Sequence, residues 1–186
     1  MEINLSWDLF VIVFFAVIIA YSFIIGRSQT LKIIISSYIA ILTADGIGNL
    51  IQRYLLGDTP IVHVLSASPS SLIILKIVIF VFTIVLITTR GRFEINADRN
   101  NSTVLNLILM MTYGILSAGL ITSTILIYAS GASLVQEGGM VINEAVLGIY
   151  RQSELVRLMI NNYNVWFALP AITFVVSSFI GSEENE

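Results

Sequence analysis

Three polar residues in the stretch "ILTADGIGNLIQ", Asp45, Asn49 and Gln52, recur at a spacing that sets them on one line of a helix. They stand at the end of a strongly apolar run. A carboxylate in that setting can accept a proton, hold a cation or form half of an ion pair. A matching cation lies alone in another apolar run, Lys76 in "SLIILKIVIFVFTIVLITT". Asp45 lies 14 residues beyond Leu31, and Lys76 lies 14 before Arg90. At ~1.5 Å of rise per residue, both sit about 21 Å from one membrane surface if the two runs are antiparallel spanning helices. A lone charge at the centre of hydrocarbon costs roughly 3 kcal/mol on insertion scales, so such residues pair or face the bundle interior.

Two arrangements of these residues stay open. In one, Asp45 forms the floor of an outward-facing polar cavity with Lys76 across from it. Gly46 and Gly48 are then a hinge where the helix unwinds, as broken helices do at transport sites. In the other, the helix ends near Ala44, "DGIGN" leads out into water, and Lys76 snorkels to the headgroups on its own stem.

The elements that must position these residues are long apolar segments. They run from Trp7 to Ile25, Leu31 to Ile51, Leu72 to Thr89 and Val104 to Tyr128, each near the ~20 residues that cross a ~30 Å hydrocarbon core. The leader "MEINLSWD" lacks the positive start of a signal peptide, so the first segment is expected to be a permanent helix. Residues 129–164 are polar and punctuated by glycine, with Val141, Ile142, Ala145, Val146 and Ile149, then Leu155, Leu158 and Met159, at helical spacing. This pattern suits an amphipathic extracytoplasmic piece, lying at the membrane surface or as a cap over the bundle. Residues 165–186 hold a last apolar helix and an acidic tail; Pro170 either opens a half-length helix or kinks one that begins near Glu154. The expected fold is all-α: a polytopic membrane bundle of four to five transmembrane helices, with a four-helix core over residues 1–128.

Composition bounds function. The 186 residues are 56% hydrophobic and 11% charged, with a mean hydropathy of +0.91 and a net charge of −3. Soluble domains carry about a quarter charged residues, so the lipid bilayer is the expected partner. Nucleic acid is not, because no basic run is present. The chain has no cysteine, and its one histidine, His63, lies in a polar connection without ligand spacing. With no phosphate-cradling glycine loop and no nucleophile elbow, neither an enzyme nor a cofactor or metal site is expected.

Association in lipid needs close backbone approach through small residues. Ser36, Ala40 and Ala44, continued by Gly48, form one stripe; Gly114, Ala118 and Thr122 form another. They are expected to face each other or a common neighbour. Orientation follows from basic residues at helix ends. Arg27, Lys32, Arg90, Arg92 and Arg99 lie on one side, against Arg53, Arg151 and Arg157 on the other. This places the N-terminus outside and Trp7, Tyr54, Tyr128, Tyr163 and Trp166 in the outer aromatic belt.

The block "SWDLFVIVFFAVIIAYSFIIGRSQTLKIIISSYIAILTA" and the block "NADRNNSTVLNLILMMTYGILSAGLITSTILI" together resemble the CvpA-like family, the colicin V production proteins of bacterial inner membranes. The resemblance rests on an aspartate before the first helix, a glycine–arginine turn, and Asp98, Arg99, Gly114, Ala118 and Gly119. It covers roughly the first 130 residues. The turn lacks the family's usual acid, and the segment around Pro170 is more hydrophobic than the family's pattern. The resemblance implies a bacterial inner-membrane location and a non-enzymatic assembly or scaffold role in secretion or envelope homeostasis. The alternative is a subunit of a small oligomeric channel or transporter using Asp45 and Lys76. Either role calls for a homo-oligomer or a membrane-protein partner.

Overall fold

A computed structural model of the chain describes residues 7–51, 69–91, 103–131, 150–151 and 153–180. Among them the structure is an all-α bundle. Its helices are α1 (Trp7–Ile25), α2 (Arg27–Leu50), α3 (Pro69–Arg90), α4 (Thr103–Ala129), α5 (Glu154–Asn161) and α6 (Tyr163–Ile180). The first four contain spans long and apolar enough to cross a membrane. The protein is a multi-pass membrane protein.

The connection between α1 and α2 is tighter than the sequence suggests. "GRSQT" reads as a loop, but only Gly26 is non-helical, with φ 84°, and α2 begins at Arg27. A residue without Cβ takes that left-handed conformation at no steric cost. Thr30 Oγ1 then donates to the Gly26 carbonyl at 2.9 Å, closing the turn. Pro69 opens α3, at the helix position where a missing N–H removes no bond.

Helix α4 is the central element, with α1, α2, α3, α5 and α6 packed around it. Gly114 of α4 meets Ser22 of α1, where an added Cβ would come within 3.3 Å of the serine Cβ. Gly48 of α2 meets Lys76 of α3. Ser36, Ala40, Ala44, Ala118 and Thr122 are all buried. The two small-residue stripes therefore serve different neighbours at their glycines, not one another: one admits a lysine stem, the other lets two backbones approach.

The segment 153–180 meets expectation at its first helix, which caps the bundle, and departs from it further on. Its amphipathic helix α5 turns its apolar face onto the bundle, where Val156 and Ile160 cluster with Val11 of α1 and Leu126 of α4. The break falls at Asn162, where the backbone caps α5 and starts α6, while Pro170 lies buried inside α6. Pro170 thus neither opens a half-length helix nor marks the break. Pro170 has no N–H to give the Trp166 carbonyl; at the next residue, Tyr38 Oη of α2 donates to the Phe167 carbonyl at 2.5 Å. Trp166, placed by its sequence position in an interfacial belt, packs between helices. Its ring lies against Gly119 in the middle third of α4, where a Cβ would come within 2.0 Å of the indole, and Phe15 of α1 meets it edge-on at 6.1 Å.

Candidate functional site

Helices α2 and α3 are held antiparallel by two lysines, one toward each end of the pair. Lys32 Nζ donates to the Gly91 carbonyl at 2.6 Å, and Lys76 Nζ reaches Asp45 Oδ1 at 3.1 Å. Asp45 lies 13 positions beyond Lys32, and Gly91, just past the end of α3, lies 15 beyond Lys76, helical rises of about 20 and 22 Å. The register that matches two helical rises brings the acid and base to one height.

Asp45 is fully buried and Lys76 retains 12% exposure. Asn49, one turn further along α2, accepts from the same ammonium at 3.3 Å. The Tyr128 ring of α4 forms a third wall, its centroid 5.9 Å from Lys76 Nζ. Tyr128 was expected in the outer aromatic belt, yet it is 1% exposed. A helical side chain leans toward its own N-terminus, which carries this ring from the end of α4 into the bundle. There Tyr128 Oη donates to the Ile41 carbonyl at 3.2 Å, and Phe80 packs against the ring at 6.0 Å with the planes 78° apart.

Helix α2 is not unwound at Gly46 or Gly48. Helix α2 continues through both to Leu50. Gly46 has open space where a Cβ would be, whereas a Cβ on Gly48 would lie 2.5 Å from Lys76 Cε and 2.9 Å from Cγ. The absent side chain is the slot for the lysine stem. The helix likewise does not stop at Ala44, because backbone bonding carries Asp45 and Asn49 onto its next turn. Gln52 falls outside the described residues.

The chemistry of the cluster is that of a buried ion pair with added acceptors. Coulomb attraction is strong where water is excluded, and an excellent geometry with further hydrogen bonds offsets the desolvation of both ions. Among the described residues, no group of three or more His, Cys, Asp or Glu is placed to hold a metal ion.

A second polar contact lies at the opposite edge of the bundle. Asp8 Oδ1, in the first turn of α1, accepts from Ser153 Oγ at 2.5 Å and from the Leu155 N–H at 3.1 Å. Ser153 is also the N-cap of α5, its hydroxyl accepting from the Val156 N–H at 3.0 Å. A carboxylate on one helix thus supplements the cap of another. Residue spacing did not point to this pairing, since 145 positions separate the partners; the serine before "ELVRLMI" was the available capping signal.

Comparison of the chain with protein-family models, curated protein sequences and solved structures finds no match.

Proposed function

We propose that the chain is a non-enzymatic assembly or scaffold component of a bacterial inner membrane, serving secretion or envelope homeostasis, with its N-terminus extracytoplasmic. The observation that carries this reading is where the polar and apolar groups go. Asp45 and Lys76 are paired with each other inside the bundle. Its outward surfaces are apolar, with Ile12, Val13, Val17 and Ile24 exposed on α1 and Val78, Phe82 and Val85 on α3. A molecule built this way offers its neighbours surfaces. The CvpA-like resemblance of the first 130 residues supports the same role, and the arginines near the Gly26 and Arg90 ends support the orientation.

Photo-crosslinking residues placed at Phe82 and Ile24 in native membranes test the role. A discrete protein adduct from either face is the expected result; adducts to lipid alone overturn it. Orientation is checked by single cysteines, which meet a cysteine-free background. Positions 27 and 90 should resist an impermeant thiol reagent added from outside, and ready labelling there reverses the topology.

The residual exposure of Lys76 favours a second reading, a channel or transporter subunit that uses the pair. Cation flux through reconstituted protein that vanishes in Asp45→Asn selects that reading over the scaffold.

A further inference from the structure

The ammonium of Lys76 rests against three walls that do not depend on its belonging to this chain. Asp45 supplies a carboxylate oxygen at 3.1 Å and Asn49 an amide oxygen at 3.3 Å. Tyr128 offers the face of its ring at 5.9 Å. A charged acceptor, a neutral acceptor and a negative quadrupole face together recognise a cation that also donates hydrogen bonds. Two of the walls have support besides the lysine: Asp45 is buried within α2, and Tyr128 is pinned by the Ile41 carbonyl and by Phe80. The occupant is the soft part, a four-carbon stem laid over Gly48 and not fully covered.

The geometry points to a binding socket for a small primary alkylammonium ion, which Lys76 fills as a tethered ligand and for which an incoming alkylammonium competes. Selectivity follows from the walls. A primary ammonium satisfies all three. Tetramethylammonium keeps the attraction to the ring but has no N–H for Asp45 or Asn49, and sodium has none either. The inference stands apart from the scaffold role, since a socket of this kind serves either reading.

Two measurements test it on the full chain. Lys32 and Lys76 are its only lysines, so lysine labelled with ¹³C at Cε gives two signals, with Lys32 as the internal control. Titrating the wild-type protein in bicelles with ethylammonium chloride should move the Lys76 signal saturably and leave Lys32 in place. Tetramethylammonium chloride at equal ionic strength should move neither. Equal, unsaturable shifts of both signals, or no shift of Lys76, overturn competition at the site.

The second measurement empties the socket with Lys76→Ala and refolds that variant from dodecyl sulfate into bicelles. Its refolded fraction should be severalfold larger in ethylammonium chloride than in sodium or tetramethylammonium chloride. Selectivity should disappear in Asp45→Asn/Lys76→Ala and weaken in Tyr128→Leu/Lys76→Ala. Equal recovery in the three salts, no recovery in any, or selectivity that survives Asp45→Asn overturns the proposal.

Discussion

Helices α1 and α3 form one kind of region in this bundle, and α2 and α4 another. In their most apolar windows only 11% of α1 and 6% of α3 is buried, against 50% of α2 and 56% of α4. Yet α1 and α3 are the more apolar pair. They carry phenylalanine, isoleucine and valine outward, while α2 and α4 bury Ser36, Ser37, Asp45, Ser117, Ser123 and Thr124. A soluble protein sorts the opposite way. When lipid is the solvent, burying leucine gains little over leaving it exposed. The interior goes instead to small residues that let backbones close and to polar groups that must find partners.

The largest test of that contrast is the ion pair. Lys76→Met keeps a stem of similar bulk but leaves the Asp45 carboxylate buried without its cation. A loss of about 3 kcal/mol is expected, the size seen when one partner of a buried pair is removed. Asp45→Asn should cost less, because the flexible lysine can withdraw toward a headgroup. Asp45→Asn/Lys76→Met should recover part of the loss, and reversible unfolding in bicelles measures all three. Strict additivity would show that the two residues do not act as a pair.

Trp166 and Gly119 come next. Even Gly119→Ala places a Cβ within 2.0 Å of the indole, and a bulky ring wedged in a helix crossing has no soft end to yield. Overpacking of this kind costs about 2 kcal/mol. Tryptophan fluorescence should report the displaced ring, and Gly119→Ala in a Trp166→Ala background should cost much less. Equal losses in both backgrounds would remove Trp166 from the explanation.

Gly48 resembles Gly119 on paper but should respond more weakly, since the obstacle is the flexible stem of a lysine. Gly48→Ala is expected to cost about 1 kcal/mol from the displaced pair, offset in part by the better helix propensity of alanine. In Lys76→Ala the obstacle is gone, and the same substitution should become stabilising. A change of sign between the two backgrounds is the result to look for.

What was legible in the residues divides along the same line. Spans announce themselves because lipid demands about 20 apolar residues, and the heights of Asp45 and Lys76 follow from counting along two helices. Rotation about the helix axis does not follow from counting. Tyr128 at a helix end reads as an interfacial ring, yet its side chain leans back into the bundle. Trp166 reads the same way, and Gly119, three turns before the end of α4, opens a slot that no periodicity marks. Gly48 suggested flexibility because glycine serves both to bend a helix and to admit a neighbour; only the position of the Lys76 stem separates the two uses. Asp8 and Ser153 meet across nearly the whole chain, beyond the reach of any local pattern.

The smallest expected effect belongs to the outward faces, where the contrast between regions can be sharpened further. Phe82 and Ile24 are 64% and 82% exposed, so Phe82→Leu and Ile24→Val trade one lipid-facing apolar group for another. In bicelles both should change stability by less than about 0.5 kcal/mol, the range of substitutions that touch nothing structural. The same pair measured in native membranes carries a second answer. If α1 or α3 is covered there by a protein neighbour, shape begins to matter on that face, and truncating Phe82 or Ile24 should shorten the lifetime of the assembly while leaving the isolated chain untouched. Equal behaviour in bicelles and membranes would make both faces plain lipid contacts and remove them as scaffold surfaces. A loss confined to one helix would name the side on which the bundle is joined.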